Sequence, residues 1–216
     1  MDILWFRLPR KPTDPEGVLG RFGQGHALIL LDRFDEWQAG YVIMKGSYAQ
    51  VHAAGLAALR QSIAGMLTEF PERIEYLKDW KQTAVLNVES SRVPCWYKSG
   101  LLLIGDAAHV MSPVGGVGIN YAIQDAVVAA NVLTASLKRR NVCLEELREV
   151  QRQREGPVAV IQWIQAQVQK RIITAALRST TALQIPLPLR ILLRIPIIRD
   201  IPARVLAFGV REVHVE

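Results

Sequence analysis

The stretch that most constrains this chain runs Gly100-Leu101-Leu102-Leu103-Ile104-Gly105-Asp106-Ala107-Ala108-His109. It continues through Met111-Ser112-Pro113-Val114-Gly115-Gly116-Val117-Gly118-Ile119-Asn120 into a helical pattern from Tyr121 to Leu137. A short apolar run ends at a Gly-Asp pair, a glycine-rich turn follows, and a long amphipathic segment starts where the turn ends. The expected order is strand, loop, helix. A carboxylate at the carboxyl end of a strand and glycines ahead of a helix N-terminus are the parts that hold a polar cofactor.

The rest of the chain reads outward from this centre. Residues 2–8 are bulky and apolar and stop at Pro9, which predicts a strand. Pro9 to Gly25 holds three prolines and four glycines and reads as loop. Residues 26–32 and 37–44 form two further strands joined by Arg33-Phe34-Asp35-Glu36, an antiparallel hairpin. Trp37, Ala39, Tyr41 and Ile43 share one face, which either floors a pocket for an aromatic or lipid-like substrate or packs on a covering helix.

Residues 49–67 carry a helical period, Pro71 opens a short helix, and 84–88 returns to strand character before the central Leu101–Ile104 strand. Two long helices follow, 119–137 and 144–169, the second kinked or restarted at Pro157, with 172–183 continuing helically. The mixture of strands, helices and strands again places the chain in the α/β class, with α+β character. Its parts are a substrate-type sheet with helices (1–99), a cofactor-binding and helical part (100–183), and a basic apolar tail (184–216).

Charge separates the tail from the rest. Residues 1–137 carry 12 Lys+Arg against 13 Asp+Glu, and residues 138–216 carry 14 against 7. Such asymmetry marks either an anionic partner or a solvated basic face; the arginines are spaced between apolar residues instead of clustered with aromatics. No zinc spacing, basic-aromatic RNA signature or helix-turn-helix pattern is present, so no nucleic-acid partner is expected. Cys95 and Cys143 are far apart and show no CxxC spacing, so no metal site is expected and a cytoplasmic setting fits. Leu and Ile between the arginines of 185–210 leave peripheral membrane contact as a second possibility for the tail.

Taken singly, the central residues stay ambiguous. Asp106 either hydrogen-bonds ribose-like hydroxyls or caps a short turn. Gly115, Gly116 and Gly118 either approach a flat ring or anion closely or simply make a flexible loop. Asn120 lies where it can cap the helix, Asp125 where it complements the helix dipole, and His109 where it is either a general acid or structural.

Together, Gly105-Asp106-Ala107-Ala108-His109, Pro113, Gly116, Gly118, Asn120 and Asp125-Ala126 resemble the second FAD-binding motif of the aromatic-hydroxylase-type, single-component (class A) flavoprotein monooxygenases. The flanking segments also look like the C-terminal portion of that family. The resemblance implies half of an FAD-binding fold with an antiparallel substrate-domain sheet and a helical C-terminal region. It implies FAD as cofactor, NAD(P)H as co-substrate, and dioxygen with a small organic molecule as substrates. Asp106 then bonds the ribityl chain, Pro113 and the glycines including Gly116 pass beside the isoalloxazine ring, and the Gly118, Ile119 and Asn120 amides face its pyrimidine side, where a reduced flavin carries negative charge. The cofactor carries the hard chemistry, so no catalytic acid or base is named.

Two family features are absent from these residues: no GxGxxG occurs, and no Asp-Gly dipeptide occurs. The expectation is therefore a partial chain or truncated product that binds FAD weakly by itself. The alternative is a non-catalytic fragment that serves as an interaction module for a nucleotide-binding half supplied in trans or for a membrane.

Overall fold

A computed structural model describes residues 1–23, 25–170, 204 and 209–215. Two compact units emerge, represented by Met1–Val88 and Glu89–Val168.

The first unit is a five-stranded antiparallel sheet of order β2-β3-β4-β1-β5. Its strands are β1 (Asp2–Pro9), β2 (Val18–Gly23), β3 (His26–Arg33), β4 (Glu36–Ile43) and β5 (Ala84–Asn87). Period-two alternation puts Leu4, Phe6 and Leu8 of β1 on one face with Leu28 and Leu30 of β3. The β4 side chains Trp37, Ala39, Tyr41 and Ile43 lie in that same buried cluster with Leu59 and Ile63 of a covering helix and Ile74 of a 3₁₀ turn. Among the described residues this face is therefore core, packed on the covering helix. Each fully buried Leu or Phe contributes roughly 1.5–3 kcal/mol, so burial here outweighs any gain from leaving the face open.

Two further expectations change in this unit. Val18–Gly23, read as loop from the glycines and prolines around it, is an edge strand: it pairs with β3 from Val18↔Leu31 to Gly23↔His26, and that pairing outweighs the weak strand preference of Gly20 and Gly23. The helix expected over 49–67 is split into α1 (Tyr48–Ala53) and α2 (Leu56–Ala64) because Gly55 takes φ 89°, outside the helical region. β1 recruits β5 on its free side, from Asp2↔Asn87 to Trp5↔Ala84, a pairing across most of the unit's sequence.

The second unit contains the short strands β6 (Ser91–Arg92), β7 (Tyr97–Lys98), β8 (Leu101–Leu102) and β9 (His109–Val110). Two long helices follow, α3 (Gly118–Lys138) and α4 (Leu144–Val168). The central strand is shorter than expected, and Gly105–Ala107 forms a 3₁₀ turn. α4 runs through Pro157 instead of breaking there. Proline disfavours helical backbone in the residue before it partly through that residue's Cβ, and Gly156 has none. Burial of Val158 and Ile161 just beyond the proline supplies the packing that holds the helix together. No described helix is long and apolar enough to cross a membrane. The helix expected over 172–183 and most of the basic tail lie outside the described residues.

Candidate cofactor-binding site

All six residues singled out in the sequence fall in the second unit. Asp106 sits inside the Gly105–Ala107 turn, exposed, and forms no cap; among the described residues it has no hydrogen-bond or ion-pair partner. Pro113 is partly buried and leads into a second 3₁₀ turn, Val114–Gly116. Gly115 and Gly116 are exposed with φ 81° and 64°, and a Cβ built on Gly116 would meet nothing within 4 Å. These glycines are required by backbone conformation, and the space beside Gly116 stays open. Gly118 begins α3, Ile119 is exposed, and Asn120 follows in the same first turn. Val117 is the N-cap residue, so Asn120 does not cap this helix. The first hydrogen bond of α3 is Tyr121 N–H to Val117 O at 3.1 Å, and N–H groups at the start of a helix point outward along the positive end of its dipole.

The loop carrying Pro113 is held from α4. The Gln165 side-chain amide donates to the carbonyls of Ser112 at 2.7 Å and Val114 at 2.8 Å. One turn earlier, Gln162 donates to the carbonyls of Ser91 and Val110 at 2.9 and 3.0 Å. Two glutamines at i and i+3 thus share one helix face and grip the backbone around Pro113.

Beneath the turn lies a cluster that sequence reasoning under-read. Asp125, expected to complement the helix dipole, is fully buried two turns into α3. Its Oδ2 accepts the Gly105 N–H at 2.9 Å and His109 Nε2–H at 2.6 Å, and its Oδ1 accepts Arg154 Nε–H at 2.8 Å. Burial pushes the Asp125 carboxyl up, but hydrogen bonds from His109, Arg154 and Gly105 outweigh it and hold the group below its ordinary value. As a carboxylate it can only accept, so His109 carries its proton on Nε2. His109 packs against Trp96 with ring centroids 5.1 Å apart, and the Arg154 guanidinium lies 5.4 Å from the Tyr121 ring centroid. Arg154 drew no notice in the sequence, although one signal was present: with Gln151 and Gln165 it occupies the buried, helically spaced face defined by Leu147, Val150, Val158 and Ile161. A charge on an apolar stripe calls for a buried partner.

Gly105 itself is tightly placed. Its φ is 56°, and an added Cβ would meet the Ala122 Cβ at 3.0 Å. Gly105→Ala is therefore expected to cost about 1–2 kcal/mol for the left-handed backbone plus the cost of displacing α3. Gly116→Ala, with similar backbone strain and open space, should cost the backbone part alone. Urea denaturation of the two variants side by side checks the difference.

Comparison with known proteins follows the same residues. Residues 38–160 match a family described as FAD binding domain. Over 209 residues the chain is 30% identical to 6-methylpretetramide 4-monooxygenase of Streptomyces rimosus, covering 96% of this chain and 49% of that protein. PqsL of P. aeruginosa, solved in complex with 2-aminobenzoylacetate, superposes with a TM-score of 0.66 at 19% identity over 83% of this chain and 50% of PqsL. Klebsiella pneumoniae HpxO, solved with FAD and uric acid, gives a TM-score of 0.57 at 17% identity over 81% of this chain and 46% of HpxO. The two structural likenesses show the fold, and the chain spans about half the length of these proteins.

Proposed function

Because the chain belongs to the FAD binding domain family of the aromatic-hydroxylase-type flavoprotein monooxygenases, we propose that its second unit holds the ribityl and isoalloxazine end of FAD. The enzyme would be an oxidoreductase that hydroxylates a small organic substrate with dioxygen and NAD(P)H. The observation that carries this reading is Asp106. It is an exposed carboxylate without a partner among the described residues, on a turn pinned to α3, in the same unit as an open glycine turn and a helix N-terminus. A carboxylate accepts hydrogen bonds from vicinal hydroxyls well, and charge-assisted bonds of this kind contribute about 1.5–3 kcal/mol each.

The residues present fit that end of the cofactor. Asp106 would bond ribityl hydroxyls, Pro113 and Gly116 would border the ring, and the first-turn amides at Gly118, Ile119 and Asn120 would face its pyrimidine edge. When bound, FAD supplies the redox chemistry; these residues bind and orient it. Gln165 keeps the Pro113 backbone in place. The positive end of α3 favours negative charge at the pyrimidine edge.

A titration with riboflavin, FMN and FAD tests this. No GxGxxG occurs in the 216 residues, so the three should bind within about tenfold of one another, the diphosphate having no glycine-rich helix N-terminus to meet. Asp106→Ala should weaken riboflavin about 10–100-fold while leaving folding stability within about 0.5 kcal/mol, as expected for an exposed group without partners. Unchanged riboflavin affinity in that variant would sink the assignment of Asp106.

A further inference from the structure

Two of the proposed cofactor contacts are tied to one helix. The turn that carries Asp106 is pressed onto α3 at Ala122, where the missing Gly105 Cβ leaves the room, and is hydrogen-bonded three residues further along, at Asp125. Ala122 and Asp125 are i and i+3 and therefore share a face of α3. The first turn of the same helix supplies the amides at Gly118 and Ile119.

The chemistry of the buried cluster exceeds what an ion pair needs. A pair between Asp125 and Arg154 would be complete through Oδ1 alone. Oδ2 instead takes the backbone N–H of the residue just before Asp106, and His109, three residues after Asp106, donates to that same oxygen. Both flanks of Asp106 are thus drawn to a single buried atom, and Arg154 neutralises the charge that atom belongs to. Among the described residues Arg154 Nη1 and Nη2 are buried without a hydrogen-bond partner, so Asp125 is the acceptor this guanidinium uses there.

We infer that Asp125, with His109 and Arg154, is a positioning cluster: it closes the Gly105–His109 turn around one carboxylate oxygen and so sets where Asp106 is presented relative to the start of α3. The inference rests on the FAD reading for what Asp106 binds, and on the geometry alone for how the turn is set.

His109 is the residue to vary, since removing Asp125 risks unfolding the unit. His109→Gln keeps a side-chain N–H near the Nε2 position, and His109→Leu keeps the bulk and removes the donor. Amide hydrogen exchange of the unliganded full chain and riboflavin affinity are measured for both. In His109→Leu, the Gly105 amide should exchange at least about tenfold faster while Val128 and Leu133 of α3 keep their protection, and riboflavin should bind about tenfold more weakly. His109→Gln should return both quantities to within about threefold of the unmodified chain. Unchanged Gly105 exchange in the leucine variant, uniform acceleration along α3, or failure of glutamine to restore the turn overturns the positioning role. If the unmodified chain binds no riboflavin while Gly105 exchange responds as stated, the cofactor reading falls and the positioning of the turn stands.

Discussion

Replacing Asp125 with alanine is expected to lower the folding free energy of the second unit by about 3–5 kcal/mol, the usual cost of leaving one member of a buried ion pair uncompensated. The Arg154 side chain is 1% exposed, and its Nε bonds Asp125 while its two terminal nitrogens have no partner among the described residues. Without Asp125 the guanidinium is a desolvated cation beside the Tyr121 ring, where cation–π attraction of about 2 kcal/mol offsets part of the cost. The Gly105 N–H and His109 Nε2–H lose their acceptor at the same time. Domains are stable by only about 5–15 kcal/mol, so the loss is large. The double variant Asp125→Leu, Arg154→Leu should regain the part due to the stranded guanidinium, while the Gly105 N–H and His109 Nε2–H stay without their acceptor and keep the rest of the loss. Amide exchange across α3 and α4 for the two single variants and the double variant gives the coupling. A cost below about 1 kcal/mol for Asp125→Ala would mean the cluster is not desolvated as described.

Acidification is expected to weaken the first unit through a second buried pair, Asp14 with Arg73. Arg73 donates through both terminal nitrogens to the two Asp14 oxygens, the Nη2 bond being 2.7 Å. Trp37 Nε1–H and Lys11 N–H also reach Asp14, at 3.1 and 3.0 Å. The Arg73 hydrogen bonds dominate; burial opposes them, and the Lys11 and Trp37 bonds add to them, so the carboxyl lies well below the usual carboxylate range. A folded value depressed below the unfolded value of about 3.9 gives stability that is complete above that pH and is lost as pH falls toward the folded value. Asp2, held low against its own burial by Gly46, Lys45 and Val88, acts with the same sign in this unit. Below about pH 4 the unit should therefore lose up to about 1.4 kcal/mol per pH unit for each such carboxyl. Asp14→Asn should flatten Asp14's share of that slope and leave Asp2's. At neutral pH, Asp14→Ala should cost about 3–5 kcal/mol by stranding Arg73. Fluorescence of the fully buried Trp37, which bonds Asp14 directly, follows both effects. A pH profile identical in the unmodified chain and Asp14→Asn would refute the assignment.

Local pattern carried much of this fold. β1 and β3 stand out as short runs of bulky apolar residues bounded by turn signals, and β4 by the alternation of Trp37, Ala39, Tyr41 and Ile43; at this length such runs favour strands. β2 was hidden because Gly20 and Gly23 speak for a loop, and only the neighbouring β3 makes the pairing favourable. Pro157 misled for a similar reason: its cost is local, whereas Val158 and Ile161 gain their burial from partners elsewhere in the unit. The alternating face of β4 was legible as a face, but whether helix or ligand covers it depends on where α2 lands.

The amino-acid sequence by itself determined the Gly-Asp turn, the glycine turn and the helix start, because backbone freedom and turn chemistry act over a few residues at fixed spacing. Only the tertiary structure decided what holds that site in place. Asp125 meets His109 across 16 residues and Arg154 across 29. Such a pairing is set by how α3 and α4 pack, and burial turns three unremarkable polar residues into one another's obligatory partners.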